Sequence, residues 1–404
     1  MNKPFVSTTM EAKSATPIDF AQRAAALRDL IEQETANPAN AKCTPTAVVE
    51  AARDEGLFWL LVPEKFGGSD ASLVNFAKAM EELSSADSSV GWTIAAQSIG
   101  TMVAGNFCSE EHTERMFSGA KMPIMTATYA PSGRATYEDG TYRGSGTYSF
   151  GSGIDHADWV SSALVVMDGD KPMLQEDGKP KIVGAFLPRE KVNVTGNWNV
   201  PGMQATGSYD YELPETVIHE SWTFNQYWTE PTQTSRAASV GTLMAVCAGH
   251  VAVALGIARR SLHEAARAAN AKKRLYATNA LSDTPTFKID FVRHEALYEA
   301  ARALAYQLLE AADAKIAAGG KLDETEQQRI RQMTTWVHQV CRDVGVYAYG
   351  SVSSSLRLPS ILAKNVMDAA VAAQHYIVND MSMIDAAPFV IERWADESAK
   401  SVVS

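Results

Sequence analysis

Hydrophobic positions along the chain change period twice. From about Ile18 to Phe117 they recur at helical spacing. Phe20, Ala24, Leu27 and Leu30 share one face, and residues 48–52 and 73–83 continue the pattern. Pro63 and the pair Gly67 and Gly68 mark a turn between those two segments. A small polar break at 85–89 precedes a helix over 90–107, rich in small residues and carrying Trp92 and Gln97. From about Lys121 to Glu230 the period falls to two, β-branched and aromatic residues increase, and turns recur at Gly140, Gly169 and Gly178. Short strands between such turns predict an antiparallel sandwich or barrel. From about Ser235 the helical period returns. Helices are expected over about 237–269 and 286–318, from near Asp323 onward, and over about 360–381, which makes a four-helix bundle. Thr284-Pro285 suits a helix start, and Asp323, Glu324 and Glu326 put negative charge at the positive end of a helix dipole. The predicted class is α+β multidomain. An N-terminal helical domain spans 18–120, a middle β domain 121–232 and a C-terminal helical bundle domain 233–404.

Composition narrows the function classes. The chain has 404 residues, 46% hydrophobic and 21% charged, with a formal net charge of -11. There is no lysine- or arginine-rich run, so nucleic acid is not an expected partner. No run of about 18 uncharged apolar residues suggests a membrane span. Residues 1–17 are polar, lack the apolar core of a signal peptide and are expected to fray. The four cysteines are far apart, which fits free thiols in a reducing cytoplasm. The eight histidines lack metal-ligand spacing. There is neither a dinucleotide-binding glycine fingerprint nor a P-loop.

The stretch 147–160 carries the first chemical signal. It reads as a strand, a kink crowded with Ser149, Gly151, Ser152 and Gly153, and a polar turn into another strand. Glycines there let the backbone approach a flat ligand, and a serine beside them offers a hydroxyl on a fixed loop. A turn serine capping its own backbone has the same appearance.

Four segments together resemble the acyl-CoA dehydrogenase fold, and more narrowly the flavin-dependent monooxygenases built on it, the oxygenase components of two-component aromatic hydroxylases. They are Val62-Pro63-Glu64-Lys65-Phe66-Gly67-Gly68, Ser152-Gly153-Ile154-Asp155-His156-Ala157-Asp158-Trp159, Gly202-Met203-Gln204-Ala205-Thr206-Gly207-Ser208-Tyr209-Asp210 and Asp368-Ala369-Ala370-Val371-Ala372-Ala373-Gln374-His375. The last decides the branch. Dehydrogenases of the fold carry a glutamate base where this chain reads Gln374-His375-Tyr376-Ile377, with no carboxylate until Asp380. Two departures stand out: Met367 where the hydroxylases carry arginine, and no histidine between Trp92 and Phe107.

The resemblance implies reduced FAD or FMN supplied by a separate NAD(P)H:flavin reductase. Dioxygen is the co-substrate, and a C4a-hydroperoxyflavin hydroxylates a small aromatic or heteroaromatic substrate such as a phenol or indole. It implies His375 as catalytic base, Ser152 at the flavin N5–C4a edge with Gly153 beside it, and a homotetramer. Thr126, Thr128 and Tyr129 would line the flavin edge, and Tyr129 the substrate as well. Thr206 and Ser208 would lie near the flavin or the substrate entrance, though a tight turn explains them equally. Trp159 suits the cofactor site or the core, and Trp92 a pocket wall or the core. Arg274 and Arg342 are candidates for the flavin phosphate, because a guanidinium matches it bidentately. The alternatives are a flavin dehydrogenase or oxidase with an atypical base, and a non-catalytic flavin-binding relative.

Overall fold

In the computed structural model, which describes residues 19–228, 230–273 and 275–396, six helices open the chain, nine strands follow and six helices close it. Arg274 and the polar segment 1–17 lie outside the described residues.

The opening helices are α1 (Phe20–Ala26), α2 (Arg28–Thr35), α3 (Thr46–Asp54), α4 (Leu73–Ala86), α5 (Ser88–Phe107) and α6 (Glu110–Phe117). The expected polar break at 85–89 shrinks to Asp87 alone. Its carboxylate accepts from the Ser89 and Val90 N–H groups, so the break is an N-cap and the serines start the next helix. α5 is buried around nearly its whole circumference. That explains its small residues: a Cβ on Gly91 would lie 1.9 Å from Ser84 Oγ, and one on Gly100 2.9 Å from the Met125 carbonyl.

The strands are β1 (Met125–Thr126), β2 (Gly133–Glu138), β3 (Thr141–Gly151), β4 (Trp159–Asp168), β5 (Lys171–Pro172), β6 (Ile182–Pro188), β7 (Asn193–Gly196), β8 (Tyr209–His219) and β9 (Thr223–Asn225). They join in one sheet, ordered β7-β8-β3-β2-β4-β6-β9, with β1 and β5 on β4. Most pairings are antiparallel as expected, but β4 runs parallel to β1 and β2, so the sheet is mixed. The cause lies in the kinked stretch. Residues 152–158 carry the chain from β3 across to the far side of β2, so they form a crossover and not a hairpin. Tyr148, Tyr211, Leu164 and Val183 belong to the core of this sheet.

The closing helices are α7 (Arg236–Val240), α8 (Thr242–Ala271), α9 (Pro285–Ala317), α10 (Glu324–Ser351), α11 (Ile361–Ala372) and α12 (Met381–Ala395). Pro285 sits in the first turn of α9, and Asp323 and Glu326 form a reciprocal capping box on α10. Two expectations fail. The first long helix is cut at Gly241, whose φ of 87° interrupts the helical backbone. The fourth stops at Ala372. Its apolar period continues, but local side chains take over the backbone: His375 Nδ1 accepts from the Ile377 N–H at 3.4 Å, and Asn379 Oδ1 from Met381 at 2.9 Å. His375 therefore sits in an irregular turn between α11 and α12, and not on a helix as the pattern suggested.

α8 is long and apolar enough to cross a membrane, yet 89% of its most apolar stretch is buried inside the protein. It is the core helix of the C-terminal region, packed on α4, α10, α5 and α11. All four cysteines are free.

Candidate functional site

α5, the crossover after β3, the loop before β8 and the turn after α11 meet in one place. Gly153 fixes the crossover. Its φ is 69°, and a Cβ there would lie 2.7 Å from the Gln97 side chain, so only glycine fits. Its N–H donates to the Thr206 carbonyl at 2.9 Å, and its own carbonyl accepts from Gln97 Nε2 at 2.9 Å. Thr126 Oγ1 donates to the Ser152 carbonyl at 2.9 Å. The kink is thereby tied to α5, to β1 and to the loop before β8.

A one-way chain of hydrogen bonds runs through it. The Met203 carbonyl can only accept, so Thr206 gives it its hydroxyl proton at 2.8 Å. Ser208 then donates to Thr206 at 2.8 Å, and Ser152 donates to Ser208 at 2.8 Å. Trp92 Nε1–H closes the chain by donating to Ser152 Oγ at 3.1 Å. Ser152 has thus committed its proton and one lone pair. Its remaining capacity is that of an acceptor.

Beyond Trp92 the site is made of imidazoles. The His375 ring lies edge-on to Trp92 with centroids 5.7 Å apart, and 4.3 Å from the ring of His250 on α8. His250 also packs on Trp92 at 4.6 Å, and its Nδ1 is 3.3 Å from Nε2 of His338 on α10. Burial pulls the pKa of His375 and of His338 down to about 4 and that of His250 well below the ordinary value. All three rings are neutral at pH 7. His250 is 1% exposed, and its Nε2 has no hydrogen-bond partner among the described residues.

An ion pair on a buried carboxylate ties α11 to the loop before β8. Asp368, 1% exposed on α11, accepts from the Met203 N–H at 2.6 Å, from Lys364 Nζ at 2.6 Å and from the Ser88 hydroxyl. Lys364 also reaches Asp87 at 3.0 Å. Met203 is held at a φ of 55°, and a Cβ on the preceding Gly202 would lie 2.3 Å from the Met367 carbonyl. The segments 202–209 and 368–375 thus touch each other directly.

The remaining candidates divide. Thr128 Oγ1 meets Tyr211 OH at 2.8 Å in the sheet core. Tyr129 lies edge-on to Trp228 at 4.9 Å. The Trp159 indole faces His112 of α6, 6.1 Å away, in the N-terminal core. Arg342 lies on the exposed side of α10 next to Asp343, at 3.8 Å. Sequence reasoning missed the roles of His250, His338, Trp228 and Lys364. His250 offered one signal, a histidine inside an otherwise apolar helical stripe.

The residues present fit a flavin edge. Hydroxyls on a backbone fixed by Gly153, a buried unpartnered imidazole nitrogen and an aromatic wall converge without a charged side chain among them. Comparisons with known proteins bear on the family and the fold. The family model for the acyl-CoA dehydrogenase N-terminal domain matches residues 20–120, and that for the C-terminal domain matches 248–380. Indole-3-acetate monooxygenase from Pseudomonas putida is 28% identical over 340 residues, covering 83% of this chain and 84% of its own. The oxygenase subunit HsaA of a flavin-dependent monooxygenase from Rhodococcus jostii is 30% identical over 198 residues, 49% of this chain and 50% of its own. Among solved structures, XiaF from Streptomyces in complex with FADH2 and glycerol superposes with a TM-score of 0.83 at 19% identity, covering 92% of this chain and 95% of its own.

Proposed function

Because the chain belongs to the acyl-CoA dehydrogenase family, whose members share this fold but not one chemistry, we propose that it is the oxygenase component of a flavin-dependent aromatic monooxygenase. It takes reduced FAD or FMN from a separate reductase and hydroxylates a small aromatic or heteroaromatic substrate. The observation that carries this reading is the pairing of a neutral His375 with the Ser152 hydroxyl chain across Trp92. The relatives named above support the branch.

When bound, the reduced flavin supplies two electrons and the site at which dioxygen is activated. Ser152 would accept a hydrogen bond from the N5–H of that flavin, since its own proton is committed to Ser208. Gly153 and Thr126 hold the serine in place. Trp92, His250 and Tyr129 form a wall for an aromatic ring. His375, uncharged at neutral pH, takes the proton that an N–H or O–H of the ring gives up as the ring becomes nucleophilic. Its low pKa limits it as a base for weakly acidic substrates and keeps it unprotonated down to mildly acid pH.

A dehydrogenase reading lacks a base. Asp368 is consumed by Lys364, Ser88 and the Met203 N–H, and Asp380 is exposed. To test the proposal, the protein is supplied with FAD or FMN, a generic flavin reductase, NADH and a panel of phenols and indoles under isotopically labelled dioxygen. One labelled oxygen in a ring product is expected. Reduction of bound flavin by an acyl-CoA thioester, with no oxygenated aromatic product, would replace this reading with dehydrogenation.

A further inference from the structure

A cleft of about 280 Å³ opens at the N-terminus of α8, lined among others by Trp228, Gly241, Thr242, Met244, Lys321 and Leu322. That is just below the roughly 300–1,000 Å³ that small-molecule pockets span, which leaves room for a small ligand or part of one. Two of its polar side chains, Thr242 and Trp228, can donate. Thr242 is 3% exposed, and its Oγ1 has no partner among the described residues. The buried Trp228 Nε1–H has none either. Trp228 holds a φ of 51°, which a bulky side chain rarely adopts, and that conformation sets its indole against Tyr129. The 30-residue α8 begins at Gly241 with no side-chain cap, so its first N–H groups and the positive end of its dipole face the cleft. Lys321 stands at the rim and makes no ion pair among the described residues. None of the lining residues is acidic.

Resting on the reading of the protein as an aromatic monooxygenase, we propose that this cleft binds the carboxylate of an aromatic acid, whose ring extends past Trp228 and Tyr129 towards His375. The cleft and His250 share one helix, α8. Thr242 and His250 are eight residues apart, about 12 Å at 1.5 Å per residue. Trp228 meets Tyr129 at 4.9 Å, and Tyr376 packs on His375 at 4.7 Å. An arylalkanoate with its acid on the helix end would point its ring along α8 in the direction of the base. Leu322, Val240 and Met244 supply the apolar part of the cleft.

The test is equilibrium binding by calorimetry to the full chain, with indole-3-acetate, indole-3-acetamide and indole as probes. The acetate is expected to bind about tenfold or more tightly than the amide, the worth of a hydrogen-bonded charge. That preference should shrink as salt rises. It should also fall several-fold in Lys321→Gln and in Thr242→Val, and be retained in Lys321→Arg. Equal binding of acetate and amide, or an undiminished preference in both loss variants, overturns the proposal. So does discrimination of FMN from riboflavin that disappears in the same variants, because the anion would then be the flavin phosphate. Failure of the monooxygenase reading is visible separately. The carboxylate preference would stand while the flavin, reductase and oxygen assay yields no oxygenated product from any aromatic.

Discussion

Ser152 and His375 both meet Trp92, and their loss should fail in opposite ways. His375→Ala removes the proton acceptor but leaves the hydroxyl chain from Trp92 to Met203 intact. Product formation should fall by roughly a hundredfold, the usual worth of a positioned base, while flavin affinity stays near wild type by fluorescence titration. Ser152→Ala takes away an acceptor at the proposed flavin edge and leaves Trp92 Nε1–H unpaired. A lost hydrogen bond of this kind costs about 1–3 kcal/mol. The expected outcome is uncoupling: oxygen uptake continues, hydrogen peroxide rises and product per oxygen drops about tenfold. If both variants keep wild-type coupling, or both lose flavin alike, the site has been drawn around the wrong residues.

At the scale of elements, the site depends on a junction that no single element forms. Asp368 on α11 holds the Met203 N–H, Met203 anchors Thr206, and Thr206 begins the hydroxyl chain that ends at Ser152. Asp368→Ala leaves Lys364, Ser88 and the Met203 N–H without their common acceptor. It should cost about 3 kcal/mol, visible as a lower denaturation midpoint. Lys364 is partly exposed, so the loss of the charge pair alone is the smaller part, and Lys364→Met should cost about 1 kcal/mol. The informative readout is coupling. Asp368→Ala should waste oxygen as Ser152→Ala does, although the residue is buried away from the reacting groups. Normal coupling in a destabilised Asp368→Ala protein would mean that the ion pair braces the fold without positioning the hydroxyls.

At the scale of the whole molecule, buried neutral histidines set the acid limit of stability. Burial holds His112, His338 and His375 at about 4 and His250 well below the ordinary 6.5. Between those values the unfolded chain binds protons that the folded chain refuses. Stability is therefore fully present above about pH 6.5 and is lost as pH falls towards 4, on the order of several kcal/mol in total. Thermal melts at pH 7 and pH 5 should differ by several degrees, and His338→Gln should flatten the dependence. Equal melting at both values would place these rings in contact with water. Assembly belongs to this scale too. Ile289, Val292, Ile384, Ile391 and Trp394 leave apolar surface exposed on α9 and α12. The expected homotetramer would cover such surface, and a monomer mass by light scattering at micromolar concentration would remove that expectation.

The sequence by itself determined the order helices, sheet, helices, because periodicity reports which face of each element is buried and is written locally. It also carried the acidic helix start at Asp323 and the helix start at Pro285, each fixed by neighbours within a few residues. Four short motifs were enough to bring the family and the residues Ser152 and His375 into view. What it could not carry were relations between distant elements. The parallel pairing of β4 with β2 depends on which side of the sheet a crossover takes. The end of α11 at Ala372 depends on side chains outbidding a period that continues past them. His250 looked like one more member of an apolar stripe, since its value lies in rings from α5, the turn after α11 and α10 that only packing brings within 6 Å. The same holds for the cleft at Thr242, where Trp228 and Lys321 arrive from segments far apart in the chain. Local propensity is legible along a sequence; a site built from six separate segments exists only once their burial has been satisfied together.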